Sequence, residues 1–246
     1  MSGLNQRKNN EIAHGKKIAE QAERVWGHAT LAGQSRVERR IELMLNLGKI
    51  TGESQVLELG CGTGEFTSRL AGTKAEITGI DISPDLLMIA RKRLADKPNV
   101  SFQIGDMEDL SNLPDNYYSQ AVGNSVLHHV DYEKCLKILL KKLKPGGFII
   151  FSEPNMMNPQ IAITKNIPIV KKLMNDSPDE TAFFRWRISG LLKKVGFRDV
   201  QVENFDFLHP YLPDVFVNTF KKILILFEKI PIIKEFSGSI LIVAKK

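Results

Sequence analysis

The chain has 246 residues, 43% of them hydrophobic and 25% charged, enough to bury a sizeable core as one large α/β domain or as a domain with appendages. Lys and Arg number 34 against 28 Asp and Glu, a net charge of +6 that permits anionic partners without selecting one, and no dense basic tract marks a nucleic-acid-binding protein. Two cysteines without metal-ligand or C-x-x-C spacing exclude a disulfide scaffold and fit a reduced, cytoplasmic compartment.

Taken in chain order, the polar stretch Asn5 to Asn10 holds no apolar signal core. Residues 11–50 read as two helical segments divided near Gly27 to Gly33. In the second, Val37, Ile41, Met44 and Leu45 share one face at i, i+4, i+7, i+8 spacing. Strand and helix then alternate, the mark of a parallel sheet. Strands are predicted at 55–59, 76–81, 100–104, 119–124 and 147–152, and helices at 65–71, 84–96, 132–143 and 180–195. Ser83-Pro84 is a capping residue followed by proline at the first helical position. Two later strands, 199–205 and 239–244, complete seven. Between them lies an extra segment, 206–238, with a predicted helix from Asp214 to Lys229 that mixes apolar residues with Lys221, Lys222 and Lys229. Its apolar run is interrupted by Glu228, Lys229 and Pro231 and is too short and charged to span a bilayer. The expected fold is a Rossmann-like, doubly wound, seven-stranded and mostly parallel α/β sheet. An N-terminal helical cap (1–50) precedes the main domain (51–246), and a helical insertion precedes the last strand.

The most informative stretch is Val56 to Thr67, V-L-E-L-G-C-G-T-G-E-F-T: a buried strand, a turn crowded with glycine, and a helix start. Such a turn offers backbone N–H groups to a nucleotide-like ligand. The dinucleotide fingerprint wants a third glycine at position 65, where Glu65 stands instead. Glu58 and Glu65 bracket the loop with negative charge, which points to a nucleoside-like, cationic ligand rather than a diphosphate. About 20 residues on, Asp81 closes the second strand, where an acidic side chain can accept from ribose hydroxyls. Asn124, Ser125, His128 and His129 run off the fourth strand into the crevice where open α/β sheets hold ligands.

Together these motifs resemble those of class I S-adenosylmethionine-dependent methyltransferases, in the expected order from about residue 55 to 155. The resemblance implies S-adenosylmethionine as cofactor. It would be bound by Glu58, Gly60, Cys61, Gly62, Thr63 and Gly64 of the loop, by Asp81 at the ribose, and by Ile82, Asp106 and Met107 at the adenine. Asn124 and Ser125 would stand near the methionine half. His128 or His129 could act as a general base, since an unperturbed imidazole titrates near neutral pH, with Glu153 orienting a histidine or the acceptor.

Absent patterns narrow the chemistry. Asn124 is followed by Ser125-Val126 rather than the Pro-Pro-aromatic sequence of base N-methylation, and neither Cys61 nor Cys135 suits cytosine C5 methylation. No metal spacing is present, so no metal is expected. The predicted activity is methyl transfer to an O or N atom of a small-molecule or lipid- or glycan-linked acceptor. The rivals are a non-catalytic cofactor-binding or partner-recruiting module and, less favoured, an RNA methyltransferase. The 206–238 helix reads first as a lid that buries its apolar face and second as a peripheral membrane contact. Whether the chain is a monomer or a homodimer is left open.

Overall fold

The computed structural model describes residues 2–173 and 180–246. Three helices precede the sheet: α1 (Ser2–Ile18), α2 (Ala22–Val25) and α3 (Leu31–Gly48). α3 begins where the Thr30 side chain accepts a hydrogen bond from the Gly33 N–H at 3.0 Å, satisfying one of the free donors of a helix start. Its Val37, Ile41 and Met44 are buried, as their spacing predicts, and Leu45 is only partly covered.

Then follow β1 (Gln55–Leu59), α4 (Glu65–Leu70), β2 (Glu76–Asp81), α5 (Pro84–Arg93), β3 (Val100–Ile104), β4 (Tyr118–Asn124), α6 (Tyr132–Lys142) and β5 (Leu143–Pro154). The remaining elements are α7 (Pro159–Asn166), α8 (Pro168–Leu173), α9 (Arg185–Val195), β6 (Arg198–Phe205), α10 (Asp214–Phe227), α11 (Pro231–Lys234) and β7 (Ser239–Lys245). Ser83 caps α5 with Pro84 in its first turn. The seven strands form one sheet in the order β3-β2-β1-β4-β5-β7-β6, parallel except for β7.

Strand residues alternate between two cores. Leu57, Leu59, Ile149 and Phe151 face Leu136 and Leu139 of α6 and Ile188 and Leu192 of α9. Val56, Ile77, Val122 and Ile150 face Val37, Ile41 and Met44 of α3 and Phe66 and Leu70 of α4. Each such side chain contributes about 1.5–3 kcal/mol of burial. The sheet reverses its winding between β1 and β4, so the carboxyl ends of these strands open a crevice there.

The structure departs from the sequence expectations in four places. The N-terminal helix starts at Ser2 rather than near residue 11; ion pairs of Arg7 with Glu108 and Lys8 with Asp106 hold its polar turns against the sheet edge. Helices α7 and α8 were not anticipated. The helix expected over 180–195 begins only at Arg185, because Phe183 is taken into a bridge with Asn155 and its N–H donates to the Pro154 carbonyl. Finally, α10 does not bury its apolar face, and Val217 alone among its residues is fully covered. No helix among the described residues is long and apolar enough to cross a membrane.

Candidate active site

The glycine loop leaves β1 and enters α4 through three left-handed residues, Gly60 (φ +63°), Gly62 (φ +52°) and Gly64 (φ +78°). A side chain at Gly60 would also bring its Cβ to 2.3 Å from Val126, and one at Gly62 to 2.9 Å from the Trp26 ring. Both conformation and space therefore require glycine. Cys61 is buried beside them, its N–H donating to the Ile80 carbonyl at 3.1 Å, and burial pushes its thiol well up, so it is no nucleophile.

Asp81 knits the loop to β2. Its Oδ2 accepts from the Gly62 N–H at 2.8 Å and its Oδ1 from the Ser83 N–H at 2.9 Å. Burial raises its pKa against the pull of these donors. Asp106 closes the next turn by accepting from the Glu108 N–H at 2.8 Å, and Lys8 of α1 pairs with it. Thus α1 lies over the same edge as Asp81, Ile82, Asp106 and Met107, and its Arg7, Lys8, Glu11 and His14 share their cavity.

Past β4, Ser125 adopts φ +53°, an uncommon conformation for a residue with a side chain, and its N–H donates to the Ser152 carbonyl at 2.7 Å. The chain then turns so that the N–H groups of Val126 and Leu127 both donate to Glu153 Oε1 at 2.9 Å. The other oxygen, Oε2, accepts from His128 Nδ1 at 2.7 Å. Burial pushes the Glu153 pKa up to about 7, and where that carboxyl is ionised the bond places the imidazole proton on Nδ1 and the lone pair on Nε2. Burial, aided by the charge of His129, holds the His128 pKa well below its usual value. Burial also opposes charge on His129, but the Glu11 hydrogen bond and the charges of Glu11, Glu180 and Glu153 outweigh it and raise that pKa. His129 Nδ1 stands 3.2 Å from Glu11 Oε2, and the two imidazole rings lie 4.2 Å apart. The pair is therefore a neutral imidazole beside a proton-favouring one. His128, His129 and Glu180 are a donor set of the kind that holds metals, with ligand atoms within 4.8 Å of one another. Here Lys165 is already paired with Glu180.

These residues enclose a cavity of about 360 Å³, within the range of small-ligand sites. Of the residues singled out from the sequence, Glu58, Gly60, Cys61, Gly62, Thr63, Asp81, Ile82, Asp106, Met107, Asn124, Ser125, His128 and His129 all line it. Gly64 shapes the loop from behind, against Leu94 and Ala90, and Glu153 stands behind His128. Among the buried polar atoms on the wall that lack a hydrogen-bond partner among the described residues are two oxygens beside the glycine loop and β4, Glu58 Oε2 and Asn124 Oδ1, and His28 Nδ1. An elongated ligand rich in donors and carrying positive charge would satisfy the two oxygens, so the chain's own residues fit such a group.

One electrostatic expectation needs correcting. Glu65 is no free negative charge bracketing the loop, because Arg69 at 2.8 Å and Arg93 at 2.7 Å neutralise it. Glu58 is buried at the loop, and that burial pushes its pKa up to about 8. At neutral pH it is therefore mostly protonated until a cation arrives.

Reasoning from the sequence missed the contributions of α1 and of Glu180 to the cavity. The residues of α1 have no apolar period to show which side packs, and Glu180 reaches the site only through the bridge at Phe183. Trp26 and His28 line it as well.

Residues 50–220 match the family model described as a methyltransferase domain. A demethylmenaquinone methyltransferase of Staphylococcus aureus is 26% identical over 187 residues, covering 68% of this chain and 76% of that protein. Among solved structures, a possible histamine N-methyltransferase from Thermotoga maritima superposes with a TM-score of 0.67 at 19% identity, covering 96% of this chain and 99% of that one. The N-methyltransferase NodS from Bradyrhizobium japonicum, solved with S-adenosyl-L-homocysteine, gives 0.66 at 16% identity, covering 96% and 98%. The family match over most of the chain leads to one conclusion: this chain belongs to the methyltransferase domain family and is a class I S-adenosylmethionine-dependent methyltransferase.

Proposed function

We propose that the enzyme methylates an oxygen or nitrogen atom of a small-molecule or lipid- or glycan-linked acceptor, with His128 as general base and Glu153 as its positioning partner. The observation that carries this reading is the 2.7 Å contact from His128 Nδ1 to a Glu153 carboxylate whose other oxygen is anchored by two backbone N–H groups. The similarity to a demethylmenaquinone methyltransferase and to an N-methyltransferase supports a small acceptor.

When bound, S-adenosylmethionine supplies an electrophilic methyl group on a sulfonium, with a thioether as leaving group. Asp81, Ile82, Asp106 and Met107 would hold its nucleoside, and the glycine loop with Glu58, Thr63, Asn124 and Ser125 its amino-acid end. His128 Nε2 takes the acceptor's proton, and Glu153 keeps the lone pair on that nitrogen. His129, drawn toward the charged state by Glu11, keeps its neighbour neutral. α1, Trp26 and His28 exclude water from the cavity. Fixing two reactants in line is worth on the order of 7–11 kcal/mol in model systems, so most of the acceleration comes from positioning.

Methyl transfer from labelled S-adenosylmethionine to a panel of hydroxyl and amine acceptors tests the roles. His128→Ala should lower kcat by about 10²–10⁴-fold while cofactor affinity stays the same. Glu153→Gln should lower kcat less and flatten its pH profile. Full turnover in His128→Ala would remove the base from this scheme.

A further inference from the structure

The 206–238 insertion and the α7–α8 pair leave a large apolar surface that no other described residue covers. On α10, Phe216, Phe220, Ile223 and Phe227 recur at i, i+4, i+7 and i+11 and form one stripe, with Val215 and Leu226 beside it. All six are exposed, Val215 to 79%. α11 adds Ile232 at 77%, and the neighbouring α7 and α8 add Ile163, Ile167, Ile169 and Leu173. The two pairs of helices are tied together. Asn158 Nδ2 donates to the Phe236 carbonyl at 2.9 Å, and Gln160 Nε2 lies 3.1 Å from His209 Nε2. Hydrophobic surface on this scale is uncommon on a protein that meets only water.

Charge decides what covers it. Three acids of the insertion are paired back onto the body of the chain: Asp206 with Arg36 and Arg40, Glu228 with Arg39, and Glu235 with Arg185; Asp214, at the start of α10, is exposed with no ion pair among the described residues. Lys221, Lys222 and Lys229 have no carboxylate partner among the described residues; Lys222 borders the apolar stripe on the helical wheel, and Lys229 stands in the turn that follows the helix. An apolar arc edged by lysines is the pattern of a helix lying in a bilayer interface beside anionic headgroups. A second copy of the chain suits it poorly. A twofold contact through α10 would set these lysines against each other with only Asp214, at the helix start, as a free acid on that helix.

We infer that α10–α11 together with α7–α8 seat the enzyme on an anionic membrane surface. The surface borders the acceptor side of the cavity. α7 carries Lys165, which pairs with the cavity residue Glu180, and the insertion packs through Tyr211 against the segment holding Trp26, the Tyr211 hydroxyl donating to the Val25 carbonyl at 3.3 Å. The inference rests on the methyltransferase reading only in supposing that the acceptor is lipid-borne; the surface itself does not depend on it.

Flotation of the full chain with phosphatidylcholine vesicles, with and without phosphatidylglycerol, tests it. The protein should float with the anionic vesicles and less so in high salt. Lys222→Gln and Lys229→Gln should each weaken binding about fivefold. Val215→Glu combined with Leu226→Glu should abolish binding, while the circular dichroism spectrum and the affinity for S-adenosylhomocysteine stay those of the unaltered chain. Absence of flotation on either vesicle, or a concentration-dependent dimer dissolved by the same two glutamates, would overturn the membrane assignment and leave the active-site reading standing.

Discussion

Glu58 shows how a single side chain can carry charge only on demand. Its carboxyl is buried, one oxygen has no partner among the described residues, and its pKa is pushed up to about 8 by that burial, so the free protein holds it protonated at neutral pH. A cationic ligand in the cavity would draw the proton off. Binding below that pKa therefore releases a proton, and affinity for S-adenosylmethionine should rise with pH between about 6 and 8, by at most about tenfold per unit, then level off. Titration calorimetry across that range checks this, with Glu58→Gln expected to erase the dependence. A flat affinity in the unaltered chain would mean that Glu58 keeps its proton in the complex. At this scale the sequence was readable where backbone chemistry demands a residue type, as with Gly60, Gly62 and Asp81. It was less readable in charge, because only packing shows that Arg69 and Arg93 cancel Glu65 while nothing cancels Glu58.

Among the elements, α3 is held to the distal half of the sheet by a buried ionic knot. Arg40 donates from Nε to Ser152 Oγ at 3.0 Å and from Nη2 to Ser239 Oγ at 2.8 Å, and it pairs with Asp206 at 2.7 Å; Arg36 pairs with the same carboxylate at 2.9 Å. Burial alone would raise the Asp206 pKa, but the charges of Arg40 and Arg36 outweigh it and bring it to about 2. The unfolded chain would titrate this carboxyl near the ordinary value of about 3.9. Its stabilisation is therefore fully present above about pH 4 and is lost as pH falls through about 2, on the order of 2 kcal/mol. Asp206→Asn should cost about 3–5 kcal/mol at neutral pH, since it strands the buried Arg40 guanidinium and removes the partner of the half-buried Arg36. Urea denaturation measures both effects, and an unchanged midpoint in the variant would show the knot to be energetically idle. Elements with a strong period or a clear cap, such as α3 and α5, were placed from the sequence within a few residues. α1 was foreshortened because ion pairs to Glu108 and Asp106, rather than an apolar stripe, hold its first turns. α10 was expected to cover its stripe, and a hydrophobic period says nothing about whether a partner within the chain exists.

For the whole molecule, the order β3-β2-β1-β4-β5-β7-β6 follows from alternating strands and helices plus one final antiparallel strand. That topology brings the ends of β1, β2, β4 and β5 to one edge, so residues far apart in the chain, Glu58, Asp81, His128 and Glu153, meet around one cavity. The motifs placed the cavity correctly because each sits at a strand's carboxyl end. The opposite wall was not legible, being built from α1 and Glu180, whose docking depends on ion pairs to residues far off in the chain. Diffraction from crystals grown with S-adenosylhomocysteine tests the assembled site most directly. The expected density places the ribose against Asp81 and the adenine between Ile82 and Met107. The amino-acid end should reach Glu58 and Asn124, leaving open space in front of His128 Nε2. A ligand seated elsewhere, or in this cavity without contact to Asp81, would contradict the assignment.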